Sequence, residues 1–141
     1  MADPNDKDQD KKPAAAVEQT SLITEVGLLR IGPAAFAIIP GEIYPELVIG
    51  GIQTPQDAGA DFPGAAAEPL IFDQIKDAKY KIVFGLANDM VGYLIPKSQW
   101  DDRAPYCYGR KSAQYGEKNS CGYDAAPVVC EAFRRLLREP R

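Results

Sequence analysis

The sequence predicts a mixed α/β fold, α+β in arrangement, with a mixed sheet, short helices and a C-terminal amphipathic helix. Three observations carry this reading. Short aliphatic and aromatic runs, "LITEVGLLRI", "AAFAII" and "YKIVFGL", are separated by Gly-Pro and Pro-Gly breaks. One long apolar stripe at helical spacing closes the chain. Between them lies a stretch rich in Gly, Pro and Ala that matches neither period.

Taken in order, residues 1–20 are Asp, Lys, Gln, Ala and Pro with almost no large apolar side chains. Such a segment cannot offset the entropy of ordering it, so a disordered tail or linker is expected, with residues 21–141 as the folded portion. Leu22 to Ile31 and Ala34 to Ile39 flank Gly32-Pro33 and read as a hairpin or as consecutive strands. Pro40-Gly41 stops the second. Tyr44 to Ile49 suits a short helix, with Pro45 in its first turn, Glu46 at its positive end and Gly50-Gly51 at its exit. Residues 52–69 form a long loop, a kind often functional or mobile. Leu70 to Ala78 reads as a brief helix, Tyr80 to Leu86 as a buried strand, and Val91 to Ile95 as a further strand. From Lys97 to Tyr123 the chain is polar, aromatic and dotted with glycine, without a clean period. In the last element Asp124 is placed to cap a helix with Pro127 in its first turn. Val128, Val129, Ala132, Phe133, Leu136 and Leu137 make its apolar stripe, and Arg134, Arg135 and Arg138 sit where the dipole favours cations.

Composition narrows the function classes. The 141 residues carry 16 basic and 20 acidic side chains, a net charge of -4, which makes no electrostatic case for nucleic acid. No apolar run reaches the roughly 18 residues of a membrane span. The opening Met-Ala-Asp-Pro-Asn-Asp lacks the pattern of a signal peptide. Three cysteines, Cys107, Cys121 and Cys130, have no metal-type spacing and fit free thiols or one disulfide plus a leftover. Histidine is absent, which removes Ser-His-Asp and Cys-His catalysis and the commonest zinc ligand from this chain.

Several residues remain as candidates for chemistry. Glu42 follows the Pro-Gly turn in "AFAIIPGEIYPELVIGG". It is either a solvated turn acid or a carboxylate held at a sheet edge, where it could serve as an oxygen ligand to a metal. Asn88-Asp89 end a strand, where α/β sheets tend to place ligands and where turns also favour these residue types. Tyr93 is either a core tyrosine with a bonded hydroxyl or, beside a strong positive charge, a ligand. Tyr106, Tyr108, Tyr115 and Tyr123 read as a mixture of packing and surface.

Together "RIGPAAFAIIPGE", the helix running to Gly50-Gly51, "VFGLANDMVGYLIP" and "QYGEKNSCGYDAAP" resemble the C-terminal part of the catalytic region of neutral/alkaline non-lysosomal ceramidases and their bacterial relatives. The resemblance runs from about Leu28 to Leu137. It implies part of a larger catalytic domain of a zinc amidohydrolase, which cleaves the N-acyl bond of ceramide-like lipids. It implies Glu42 and Tyr93 as zinc ligands. It also implies a later tyrosine that polarises the amide carbonyl, for which Tyr115 is the best match and Tyr123 the competitor. Asn88 matches the asparagine of the family's Gly-Leu-x-Asn turn. The family's remaining ligands are histidines from an earlier portion. This chain lacks them, and its segment from Ser98 to Lys111 is longer than the family pattern. Two readings follow: a fragment of such an enzyme that needs its N-terminal catalytic portion, or a stand-alone module that binds without catalysing. On either reading the isolated chain is expected to be inactive and not to retain zinc. The resemblance further implies an N-acyl lipid-like substrate, peripheral membrane contact in the parent enzyme, and a secreted or cell-surface setting.

Overall fold

The computed structural model describes residues 21–138. The expected tail at 1–20 lies outside them. Along the described chain run β1 (Gly27–Ile31), β2 (Ala34–Ile38), β3 (Glu42–Ile43), α1 (Pro45–Ile49), α2 (Ile71–Gln74), β4 (Tyr80–Phe84), β5 (Tyr93–Leu94), α3 (Tyr115–Lys118) and α4 (Ala125–Leu136). Short 3-10 helices stand at Lys97–Gln99 and Cys107–Gly109. The fold is mixed α/β, as the strand runs and the closing apolar stripe predict.

The strands form a three-stranded sheet, β1-β2-β4, and a two-stranded one, β3-β5. β1 and β2 are an antiparallel hairpin, Ile31 opposite Ala34. Gly32 turns the two-residue loop at φ 55°, the left-handed region that hairpin loops demand. β4 then lies parallel to β2, with Phe36 opposite Ile82. A parallel partner cannot follow through a tight turn. The chain from β3 through α2 supplies the crossover, and the long Gly/Pro segment belongs to it.

The core lies on one side of the larger sheet. Ala35 and Ala37 of β2, Leu47 of α1, Ile71 and Ile75 about α2, Leu94 of β5, and Val129, Cys130 and Phe133 of α4 form one buried cluster. The two alanines leave room for side chains from the helices. The expectation that Tyr80 to Leu86 is a buried strand fails on one face: Tyr80, Ile82, Phe84 and Leu86 are exposed. Alternate positions, Lys81 and Val83, point the other way and are partly covered.

Two expectations at α4 also change. Asp124 stands at the N-cap, but its side chain makes no cap hydrogen bond. Its carboxylate instead accepts from Lys97 Nζ at 2.6 Å. Val128, read into the apolar stripe, is 64% exposed. All three cysteines are free. Burial pushes Cys107 up to about 11 and Cys130 up to about 12, with nearby carboxylates adding to both shifts, so neither is a ready thiolate. No helix among the described residues is long and apolar enough to cross a membrane.

Candidate functional site

The Pro40-Gly41 turn hands the chain from one sheet to the other. Ile39 N–H donates to Phe84 O at 2.9 Å and Leu86 N–H to Gly41 O at 3.0 Å, so the turn is anchored to the end of β4. On its other side Val91 N–H donates to Pro40 O and Glu42 N–H to Gly92 O, both at 2.9 Å. Glu42 therefore enters β3 with its backbone fixed from both sides. The parallel register of β3 and β5 then sets Glu42 opposite Tyr93 and Ile43 opposite Leu94.

The side chains of that first pair meet. A hydrogen bond to the Glu42 carboxylate, then desolvation and the carboxylate's charge, hold the Tyr93 phenol above its ordinary pKa of 10.0. The hydroxyl keeps its proton and donates it to Glu42. Two more rings pack edge-on against Tyr93, Tyr115 at 5.8 Å and Tyr44 at 6.3 Å between centroids. Glu42 itself is exposed and Tyr115 is 70% exposed, so the cluster opens to solvent.

Tyr115 is held there by α3 and the residue after it. Tyr93 N–H donates to Asn119 O at 3.0 Å, and Asn119 Nδ2 donates to Tyr115 O at 2.7 Å. Two glycines make this packing possible. At Gly92, with φ 84°, a Cβ would stand 2.0 Å from Asn119 O. At Gly116 it would stand 2.8 Å from the Tyr44 hydroxyl.

Beneath the rings sits Glu117, only 5% exposed. Neither of its carboxylate oxygens makes a hydrogen bond of normal geometry. Burial pushes its pKa above 4.5, and the Asp101 charge adds to this. Arg110 and the nearby Asp101 and Glu117 backbone N–H groups pull the other way. Arg110 is itself ion-paired with the fully buried Asp101. Tyr44 is raised above 10.0 first by burial, then by the charges of Glu117, Glu46 and Glu42.

An open groove of ≈ 580 Å³ leads away from Glu42, lined by Ile43, Val48, Ile49, Val83 and Leu86. A larger hollow, ≈ 780 Å³, runs along α4 between Val26, Glu68 and Leu136 and touches none of the candidate residues.

The structure thus brings Glu42, Tyr93 and Tyr115 together. It leaves Tyr123 in another cluster, 4.7 Å from the Phe62 ring and 6.2 Å from Trp100, with Lys97 Nζ over its face at 4.8 Å. Asn88 is an exposed residue of the turn after β4, at φ 70°. Asp89 accepts a hydrogen bond from Thr24 Oγ1 at 2.8 Å. Sequence reasoning singled out neither Tyr44 nor Glu117 as part of this site. The only signal for Glu117 was its place two residues after Tyr115.

Glu42 and Tyr93 offer two oxygen donors, fewer than the three or four protein ligands zinc takes. Among the described residues no group of three or more His, Cys, Asp or Glu side chains is placed to hold a metal ion. No family model, curated protein or solved structure matches the chain.

Proposed function

We propose that this chain supplies one half of a zinc-dependent amide-hydrolysing site of the ceramidase type, acting on N-acyl, lipid-like substrates. The observation that carries the reading is the β3-β5 register, which sets Glu42 beside Tyr93 with Tyr115 packed on the same ring. These are the residues that the resemblance names, and they are distant in sequence.

Glu42 and Tyr93 would hold the ion from one side, and donors from another polypeptide portion would complete its shell. What such an ion contributes is Lewis acidity, which makes water a nucleophile near neutral pH. The chain's own residues do the rest of their half. Glu42 orients the Tyr93 hydroxyl. Tyr93 releases its proton only beside a strong positive charge, because Glu42 alone favours the neutral phenol. Tyr115, exposed and free to reach outward, donates to an oxyanion developing on the amide carbonyl, a contact worth about 3 kcal/mol. The groove past Ile49 and Leu86 offers an acyl chain an apolar seat.

The test is complementation. The chain is fused to the histidine-bearing portion of a neutral ceramidase whose own Glu/Tyr segment has been removed. Fatty-acid release from a fluorescent N-acyl amide is expected, and Glu42→Gln or Tyr93→Phe should abolish it. Equal release with Glu42→Gln, or none from the unmutated fusion, overturns the reading. The second reading is a non-catalytic binding or structural module, and an inactive fusion favours it.

A further inference from the structure

One face of the three-stranded sheet packs on the core, and the other lies open among the described residues. Leu29, Ile31, Tyr80, Ile82 and Phe84 are between 37% and 60% exposed there. At its centre the Phe36 and Phe84 rings lie stacked, 5.6 Å apart and 17° from parallel, as a nearly flat plate. Every position of β1, β2 and β4 that points this way is uncharged, whereas Arg30 and Lys81 point to the other face.

The size of the face bears on what covers it. Taking roughly 200 Å² for a large side chain, these exposures leave about 500 Å² of apolar surface open. That lies within what monomers expose, about 300–600 Å². Two such faces together would bury about 1,000 Å², the size at which a specific interface begins. Among the side chains of these strands the Tyr80 hydroxyl is the one polar group on the face, with the Lys79 ammonium 5.2 Å over the Tyr80 ring at one end of β4, so little at its centre would discriminate a foreign protein by charge or hydrogen bonds. A net charge of -4 gives no attraction to an anionic lipid surface. An uncharged, flat patch is complementary to itself, as a two-fold interface requires, and two such faces stack about 10 Å apart.

We propose that two copies of this chain pair face to face through the open side of the β1-β2-β4 sheet. This pairing stands whether or not the Glu42 site acts on amides.

The experiment is sedimentation equilibrium of the full chain over a concentration series, with circular dichroism as the check on folding. The expected mass is twice 15.4 kDa. Leu29→Lys/Ile82→Lys should raise the dissociation constant at least about tenfold, or 1.4 kcal/mol. Ile31→Lys, at a strand end and 60% exposed, is the second variant and serves if the double variant does not fold. Val128→Lys, on α4 and off the sheet, should leave the dimer unchanged. A wild-type chain that stays monomeric at its solubility limit, a broad series of larger species, or a dimer untouched by the sheet variants overturns the proposal. So does a monomer that floats with phosphatidylcholine vesicles and loses them on Leu29→Lys/Ile82→Lys, since that assigns the face to lipid.

Discussion

Glu42 holds the Tyr93 phenol above its ordinary pKa of 10.0. Glu42→Gln should therefore lower the Tyr93 pKa back toward 10.0, followed by NMR of ring-labelled tyrosine. An unchanged value would mean that the carboxylate does not face the phenol. The sign for stability follows. A folded-state pKa raised above the unfolded one makes this contact's contribution complete below pH 10 and lost as pH climbs through the raised value. Glu117 obeys the same rule at the acid end. Its raised pKa makes the buried neutral acid stabilising below about 4.5, and that contribution fades as pH rises and the acid ionises. Glu117→Gln should raise the melting temperature at pH 7 and flatten its rise on acidification. A lower melting temperature at pH 7 would show that the Glu117 charge is stabilised by Arg110 after all. Glu42, Tyr93 and Tyr115 were legible in the sequence because each lies in a quotable motif. Tyr44 and Glu117 were not, since nothing in the linear order says that the acid of "QYGE" folds inward under a ring from another element.

At the scale of elements, the site depends on glycines, both in the carboxylate's own turn, where a Cβ at Gly41 would stand 2.6 Å from Gly92 O, and at Gly92. Gly92→Ala puts a methyl 2.0 Å from Asn119 O at φ 84° and should cost on the order of 3 kcal/mol in urea unfolding. It should also separate Tyr115 from Tyr93, which an altered tyrosine fluorescence or ring-shift pattern would report. A loss within 0.5 kcal/mol, the usual range of surface changes, would mean that the loop carrying Asn119 yields easily. Element existence was readable from the runs between Gly and Pro. Burial was not. In "YKIVFGL" Tyr80, Ile82, Phe84 and Leu86 fall on one face and Lys81, Val83 and Gly85 on the other, so the pattern would bury the very face that the structure leaves open. The short α3 was missed because four residues do not establish a helical period.

Across the whole molecule, stability converges on α4. Phe133 is fully buried among residues from β2, α2 and the helix itself. Phe133→Ala should cost about 3–5 kcal/mol, enough to unfold a marginal domain of this size. A midpoint shift below 1 kcal/mol would place the core elsewhere. The mixed fold was legible as a whole, because a helical stripe and strand runs with different periods cannot share one regular architecture. The pairing of strands was not, since a parallel β2-β4 contact leaves no trace in either segment alone.

That parallel contact also sets an order of events. Glu42 and Tyr93 can meet only after the long excursion between β2 and β4 has come back, and bringing such distant segments together is the entropically slow part of folding. Neither the carboxylate nor the phenol is in place before then, because the Glu42 turn is itself anchored to Phe84, Leu86 and Gly92. The raised Tyr93 ionisation is thus a clock for the final closure. In a stopped-flow refolding experiment it should appear with the last phase, after α4 has acquired its helical signal.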